Sequence, residues 1–428
     1  MPPAVPNRGP GRLIGTPEEA EEMTSVDVLV VVHTTVYGQR LRSVHALLDA
    51  DPRVRVRFTV APHTFNRGAA AHVRRLGATV LPWAEAVRRS FDLVLAAGSR
   101  GLERLHGPTV RLTHGVGHNK LSPTGVGAGR TVAGLGPEYV VWQGRLVPAA
   151  YALAHRDDRT ELGRGCPEAL SIAEVVGDAD HDRIAAALPD RERYRTALGL
   201  APDERLVLLC STWGSGSLFA RLDTVLPRLA AELPRHGHRA ALLVHPNVAA
   251  AHGPRAVRAR VAATAPGAVS VPGPEEDWRP LLVAADFVIG DHGSVTLYGT
   301  MTDAPILLAA YPQHGINPRS PGARLARTAP ALSPSRSLTA QLDRAAERYR
   351  REDYAAVAAR ISSEPGRFDL RMRQLLYRVL GLAEPAPPPV PPVLPLPSPL
   401  WSAADDGVGA PAAITAATRA ASGAPSAR

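Results

Sequence analysis

Short β-branched apolar runs recur along the chain and alternate with stretches whose apolar residues return every three or four positions. Asp27–His33 (DVLVVVH) is almost continuously apolar, the pattern of a strand covered on both faces. Helical spacing follows over Gln39–Leu48, and then come apolar runs at 54–61, 78–82, 92–98 and 109–115. Strands alternating with helices predict βαβ units and a parallel sheet. This first domain is set at 25–165. The pattern restarts with runs at 205–212, 240–246, 268–273, 286–294 and 304–312, with helices predicted at Leu222–Leu233 and Arg255–Ala263. A second parallel domain is set at 171–345. Helical character continues through 337–382, and 346–382 is expected to pack back across the domains. The fold class is therefore α/β, two Rossmann-like doubly wound domains facing across a cleft. Such halves place a ligand between the carboxyl ends of their strands, at the switch points of the sheets.

The two ends read differently. Residues 1–24 are Pro/Gly-rich and then acidic, and 383–428 is a Pro/Ala-rich tail; both are expected to be disordered. Hydrophobic residues make up 45% of the chain, enough for two cores, but aromatics only 5%, so Ala, Val and Leu must do most of the packing. No apolar run approaches the roughly 20 residues of a spanning helix. The start lacks a secretion-type apolar segment, and the only cysteines, Cys166 and Cys210, are far apart. Both features point to the reducing cytoplasm. The net charge of +9 suits a phosphate-bearing ligand or an anionic membrane surface. Nucleic acid is not expected, because the basic residues are dispersed and few aromatics stand among them.

Four segments at strand ends carry the candidate chemistry. His114–Lys120 (HGVGHNK) follows the fifth run, and Lys120 is the only lysine among 49 basic residues. An ammonium is a compact charge for phosphate, or a base when desolvated; an ordinary surface lysine is the alternative. His114 is a candidate general base, with a strand-end structural histidine as the alternative. His114 and His118 share a helical spacing, but no third ligand follows and no metal is expected. Cys210–Ser217 (CSTWGSGS) offers small residues whose N–H groups could form an anion nest, with Ser211, Thr212 and Trp213 at its head. In His245-Pro246-Asn247 the proline fixes the backbone just past a strand. In Asp291-His292-Gly293-Ser294 a strand turns into a helix whose N-terminus favours phosphate, unless Asp291 or Ser294 only caps it.

Taken in order, these segments resemble the CDP-glycerol glycerophosphotransferase family, whose motifs run HG-x-x-x-K, G-x-P-R-x-D, P-T-[WF]-R, HP and T-D-Y-S-S. Here they correspond to His114-Gly115…Lys120, Gly177…Asp182, Ser211-Thr212-Trp213-Gly214, His245-Pro246 and Gly290-Asp291-His292-Gly293-Ser294. One extra residue precedes Lys120. Gly214 and Asp180 stand where the family has arginines, with Arg221 and Arg324 as candidate substitutes. His292 and Gly293 replace the Tyr and first Ser. The resemblance implies a GT-B fold and a cell-envelope transferase that moves a polyol phosphate from a CDP-glycerol-like donor to a hydroxyl acceptor. It implies His114 as base. Gly115, His245, Pro246 and the Asp291–Ser294 turn fall in the donor and phosphate motifs. It implies work at the inner membrane face, although no amphipathic anchor is present. No tightly bound cofactor is expected, and the oligomeric state is left open. The alternatives are a GT-B glycosyltransferase, a UDP-sugar epimerase-like enzyme, or a non-catalytic nucleotide-binding protein of the same fold.

Overall fold

The structure, a computed structural model, describes residues 25–113, 115–122, 131–312 and 314–400. The first sheet contains β1 (Val26–Val32), β2 (Val54–Val60), β3 (Val80–Leu81), β4 (Leu93–Ala96) and β5 (Thr109–Leu112). After a two-stranded ribbon, β6 (Val141–Trp142) and β7 (Arg145–Leu146), it adds β8 (Ala150–Leu153) and β9 (Ala173–Val175). The order is β3-β2-β1-β4-β5-β8-β9, and every pair is parallel. The second sheet holds β10 (Arg205–Ser211), β11 (His238–Val244), β12 (Val269–Ser270), β13 (Phe287–Gly290) and β14 (Ile306–Leu308). Its order is β12-β11-β10-β13-β14, again all parallel.

Side-chain alternation explains why the central strands read as unbroken apolar runs. Val28, Val30 and Val32 of β1 enter one core while Leu29 and Val31 enter another. Leu206, Leu208 and Cys210 of β10 likewise face one core, and Val207 and Leu209 the other. In both sheets the chain leaves its first strand in one direction and later returns to that strand's other side. The switch points thus lie between β1 and β4, and between β10 and β13.

The structure departs from the sequence reading in three places. β9 lies within the segment assigned to the second domain, yet it pairs with β8 at the edge of the first sheet. Together with β8 it is too short and Ala-rich for a strand signal. The stretch 337–382 is three helices, Leu338–Arg348, Arg351–Ala358 and Phe368–Leu380, divided at an extended Tyr349 and at Pro365-Gly366. The first two pack on the second sheet, whereas the last places Phe368, Met372, Leu375 and Leu376 in the core beneath Val28, Val30 and Val32. Finally, the Pro-rich run up to Leu400 is docked. Leu394, Pro397 and Leu400 are buried at the three-residue repeat of an extended polyproline segment, and the Leu400 N–H donates to the Leu198 carbonyl at 3.0 Å. Residues 1–24 and 401–428 lie outside the described residues.

Candidate functional site

The carboxyl ends of β5, β10, β11 and β13 enclose a cavity of about 240 Å³ between the two sheets. Gly115, Lys120, Ser211, Thr212, Trp213, His245 and the whole Asp291–Ser294 turn line it. Four of the segments singled out in the sequence, separated by up to 180 residues, therefore meet in one place. His114 lies outside the described residues. Pro246 does not line the cavity; it is the first residue of helix Pro246–His252, which His245 caps. Through His118 the cavity adjoins a larger space of about 620 Å³, which includes Arg324. Arg221 is used elsewhere, donating to the Ala309 carbonyl at 3.1 Å.

Asp291 organises the second-sheet side. Its Oδ2 accepts from the Thr212 N–H at 2.9 Å, the Leu218 N–H at 2.8 Å and the Ser211 hydroxyl at 3.3 Å, while Oδ1 accepts from the Gly293 N–H at 2.9 Å. Of the segment 210–217 read as an anion nest, the Thr212 N–H and the Ser211 hydroxyl turn to Asp291, joined by the Leu218 N–H just beyond it. These donors hold the carboxylate and bind the loop after β10 to the turn after β13. Burial pushes the Asp291 carboxyl up, and the donors oppose that shift. The Ser211 hydroxyl and the Thr212 and Gly293 N–H groups, which the sequence places among the donor and phosphate motifs, thus bond to Asp291. The turn requires Gly290, because a Cβ there would lie 2.3 Å from Thr296 Oγ1.

What stays available is cationic or donating. Gly293 caps helix Ser294–Tyr298 and offers no side chain to its first N–H groups. Ser294 sits against the first half, since a Cβ on Gly115 would meet its Cβ and Oγ at 3.9 Å. The Lys120 ammonium lies 5.0 Å from the ring centre of Trp213, which in turn packs on Phe65 from the first half at 5.3 Å. Among the described residues no carboxylate forms an ion pair with Lys120. Desolvation lowers its pKa, with Asp291 opposing. Burial, and secondarily Lys120, pushes His245 down to about 3 and His292 to about 4, so both imidazoles are neutral at pH 7. His245 Nδ1 accepts from the Asn247 N–H at 3.1 Å, which leaves Nε2 as its donor. Among the described residues the site thus presents a lysine without a carboxylate partner, neutral imidazoles and a helix start, a set suited to an anion.

Asn119 and Arg111 line the cavity but escaped the sequence reading, and His118, weighed there only as a metal ligand, lines it too. Asn119 clamps three segments, donating to the His292 carbonyl at 3.4 Å and accepting from the Gly322 N–H at 3.1 Å. His118 adopts φ 39° and bonds through Nδ1 to the Ala133 carbonyl at 3.1 Å. Arg111 was hidden inside an otherwise apolar strand. The Gly177…Asp182 segment does not reach the cavity. Its Asp178 accepts from Arg40 at 2.5 Å and Tyr298 at 2.8 Å, and Asp180 pairs with Arg40 and Arg279, joining the halves through buried ions.

No protein-family model and no curated protein matches the chain. Solved structures do. The wall teichoic acid polymerase TagF soaked with CDPG superposes with a TM-score of 0.58 at 14% identity, over 84% of this chain and 90% of that one. A putative UDP-N-acetylglucosamine 2-epimerase from Listeria monocytogenes gives 0.53 at 14% identity, over 84% and 98%. The chain has the GT-B fold. Staphylococcus aureus MnaA with UDP is also similar, with a TM-score of 0.50 at 12% identity over 85% of this chain and 99% of that one. Among the described residues no helix is long and apolar enough to cross a membrane, and no three His, Cys, Asp or Glu residues cluster as a metal site. Both cysteines are buried free thiols, and burial pushes the Cys166 thiol up to about 11.

Proposed function

We propose that the protein transfers a glycerophosphate-type group from a CDP-activated donor to a hydroxyl acceptor. The unpaired Lys120 ammonium beside the open first turn of helix Ser294–Tyr298, at the switch point of the second sheet, carries this reading. The motif order described above and the likeness to TagF support it. In the reaction the acceptor oxygen bonds to the distal phosphorus of the donor, the pyrophosphate P–O bond breaks, and CMP leaves with the electron pair. The acceptor proton passes to His114, assigned as base by the family motif. Lys120 and the neutral His245 donor offset charge growing on the leaving phosphate. The activated donor and two buried free thiols favour a cytoplasmic setting.

A thermal-shift series with CDP, UDP and GDP conjugates tests the donor. Stabilisation by CDP-glycerol is expected. Stabilisation by UDP-sugars alone would favour an epimerase or glycosyltransferase, the reading supported by the UDP-linked neighbours. Donor binding without transfer to any polyol acceptor would favour a non-catalytic role. His114→Ala is expected to abolish transfer while leaving CDP-glycerol binding within twofold; normal turnover would remove His114 from the mechanism.

A further inference from the structure

We infer that Arg111 is a second anion-binding group of the cleft, holding a phosphate or carboxylate of a ligand that enters from the first sheet's side. The inference is independent of which nucleotide the second sheet takes. Arg111 lies within β5, where Val110 and Leu112 point into the core closed by helix Phe368–Leu380. Alternation sends Arg111 to the opposite face, and it lines the cavity with Thr113 and Tyr151.

The other buried arginines set the comparison. Arg40 pairs with Asp178 at 2.5 Å, Arg183 with Asp369 at 3.3 Å, Arg195 with Asp286 at 2.7 Å and Arg373 with Glu384 at 2.6 Å. Arg111 is the most deeply buried of the five, at 2% exposure, yet among the described residues no carboxylate pairs with it. A guanidinium carries five N–H donors. Here Nη1 donates to the Gly134 carbonyl at 3.3 Å, and Nε has no partner. That carbonyl is shared, since the Tyr151 hydroxyl also donates to it at 2.7 Å.

The side chain is nevertheless held in place, because its central carbon lies 4.4 Å from the Tyr151 ring centre and 5.8 Å from that of Tyr139. Ring faces offset part of a buried charge and leave its hydrogen-bonding edge open. The nearby imidazole His33, kept neutral chiefly by burial, adds no like charge beside it. A preorganised, desolvated fork without a carboxylate partner has the form of an oxyanion site.

The test uses the full chain, with inorganic phosphate as probe at low salt, read by calorimetry and thermal melting. Two phosphates are expected to bind the wild type, and Arg111→Met and Lys120→Met are each expected to remove a different one. Arg111→Met should also melt no lower than the wild type without phosphate, because it replaces an unpaired buried charge with a hydrophobe. A purely structural arginine would do the reverse, lowering the melting temperature and leaving phosphate binding intact, and that result overturns the inference. Failure of the wild type to bind phosphate overturns it as well. If Arg111→Met does not fold, Arg111→Lys decides: weakened phosphate binding with a native melt supports the site, and unchanged binding refutes it.

Discussion

Replacing Asp291 with Asn separates a positioning role from a chemical one. The substitution keeps the shape of the side chain and removes its charge. The Asn carbonyl can take the place of Oδ2 and keep Thr212, Leu218 and Ser211 as donors, but as neutral hydrogen bonds. Each of the three then loses about 1 kcal/mol. The amide nitrogen falls where Oδ1 meets the Gly293 N–H, so two donors face each other at a further loss of about 1–3 kcal/mol. Relief of the buried charge returns part of this, and the expected net destabilisation is about 3 kcal/mol. Urea unfolding followed by tryptophan fluorescence, with Trp213 in the affected loop, measures it. CDP-glycerol binding should weaken in parallel as the loops after β10 and β13 lose their tie. A change below about 1 kcal/mol, with donor binding lost all the same, would mean that Asp291 acts on the ligand directly and that the positioning argument is wrong.

Other outcomes follow from the same geometry. His33 and His292 are buried and, chiefly through burial, keep pKa values of about 4 when folded. Unfolded imidazoles protonate near pH 6.5, so this stability is fully present above that pH and is lost as pH falls toward 4. Between pH 7 and 5 the pair should lose about 4 kcal/mol, and urea titrations that agree at both pH values would refute the assignment. Lys120→Met should weaken CDP-glycerol binding at least tenfold, about 1.4 kcal/mol by calorimetry, without lowering the melting temperature. Leu376→Ala, in the helix that closes the first-sheet core, should destabilise by about 2–5 kcal/mol in the same urea assay.

The parts of the fold that could be read from the sequence are those where information is local. β1, β10 and β13 are buried on both faces, so they appear as apolar runs, and the turn at Asp291–Ser294 follows from a strand ending in Gly-Asp. β8 and β9 escape notice because Ala150–Leu153 and Ala173–Val175 owe their state to neighbours in the sheet rather than to their own propensity. The functions of Asp291 and Arg111 were inaccessible for a related reason. Donors from 73 to 80 residues away define the first, and the second is defined by the carboxylate it lacks. The docking of Leu394, Pro397 and Leu400 depends on a groove against the second-sheet core that exists only after that sheet forms.

The return of helix Phe368–Leu380 to the first sheet also sets an order of events during synthesis. β1, with Val28, Val30 and Val32, is made early together with helix Thr35–His45, whose Leu41 and Val44 share its core, but the residues that complete that core, Phe368, Met372 and Leu376, are made after the whole second sheet. As the chain leaves the ribosome, the second sheet can gather most of its cores, while the first must wait with one core incomplete. Nascent chains that stall before residue 368 therefore leave the apolar groups that receive Phe368, Met372 and Leu376 exposed, and chaperone contact should concentrate on the amino-terminal half.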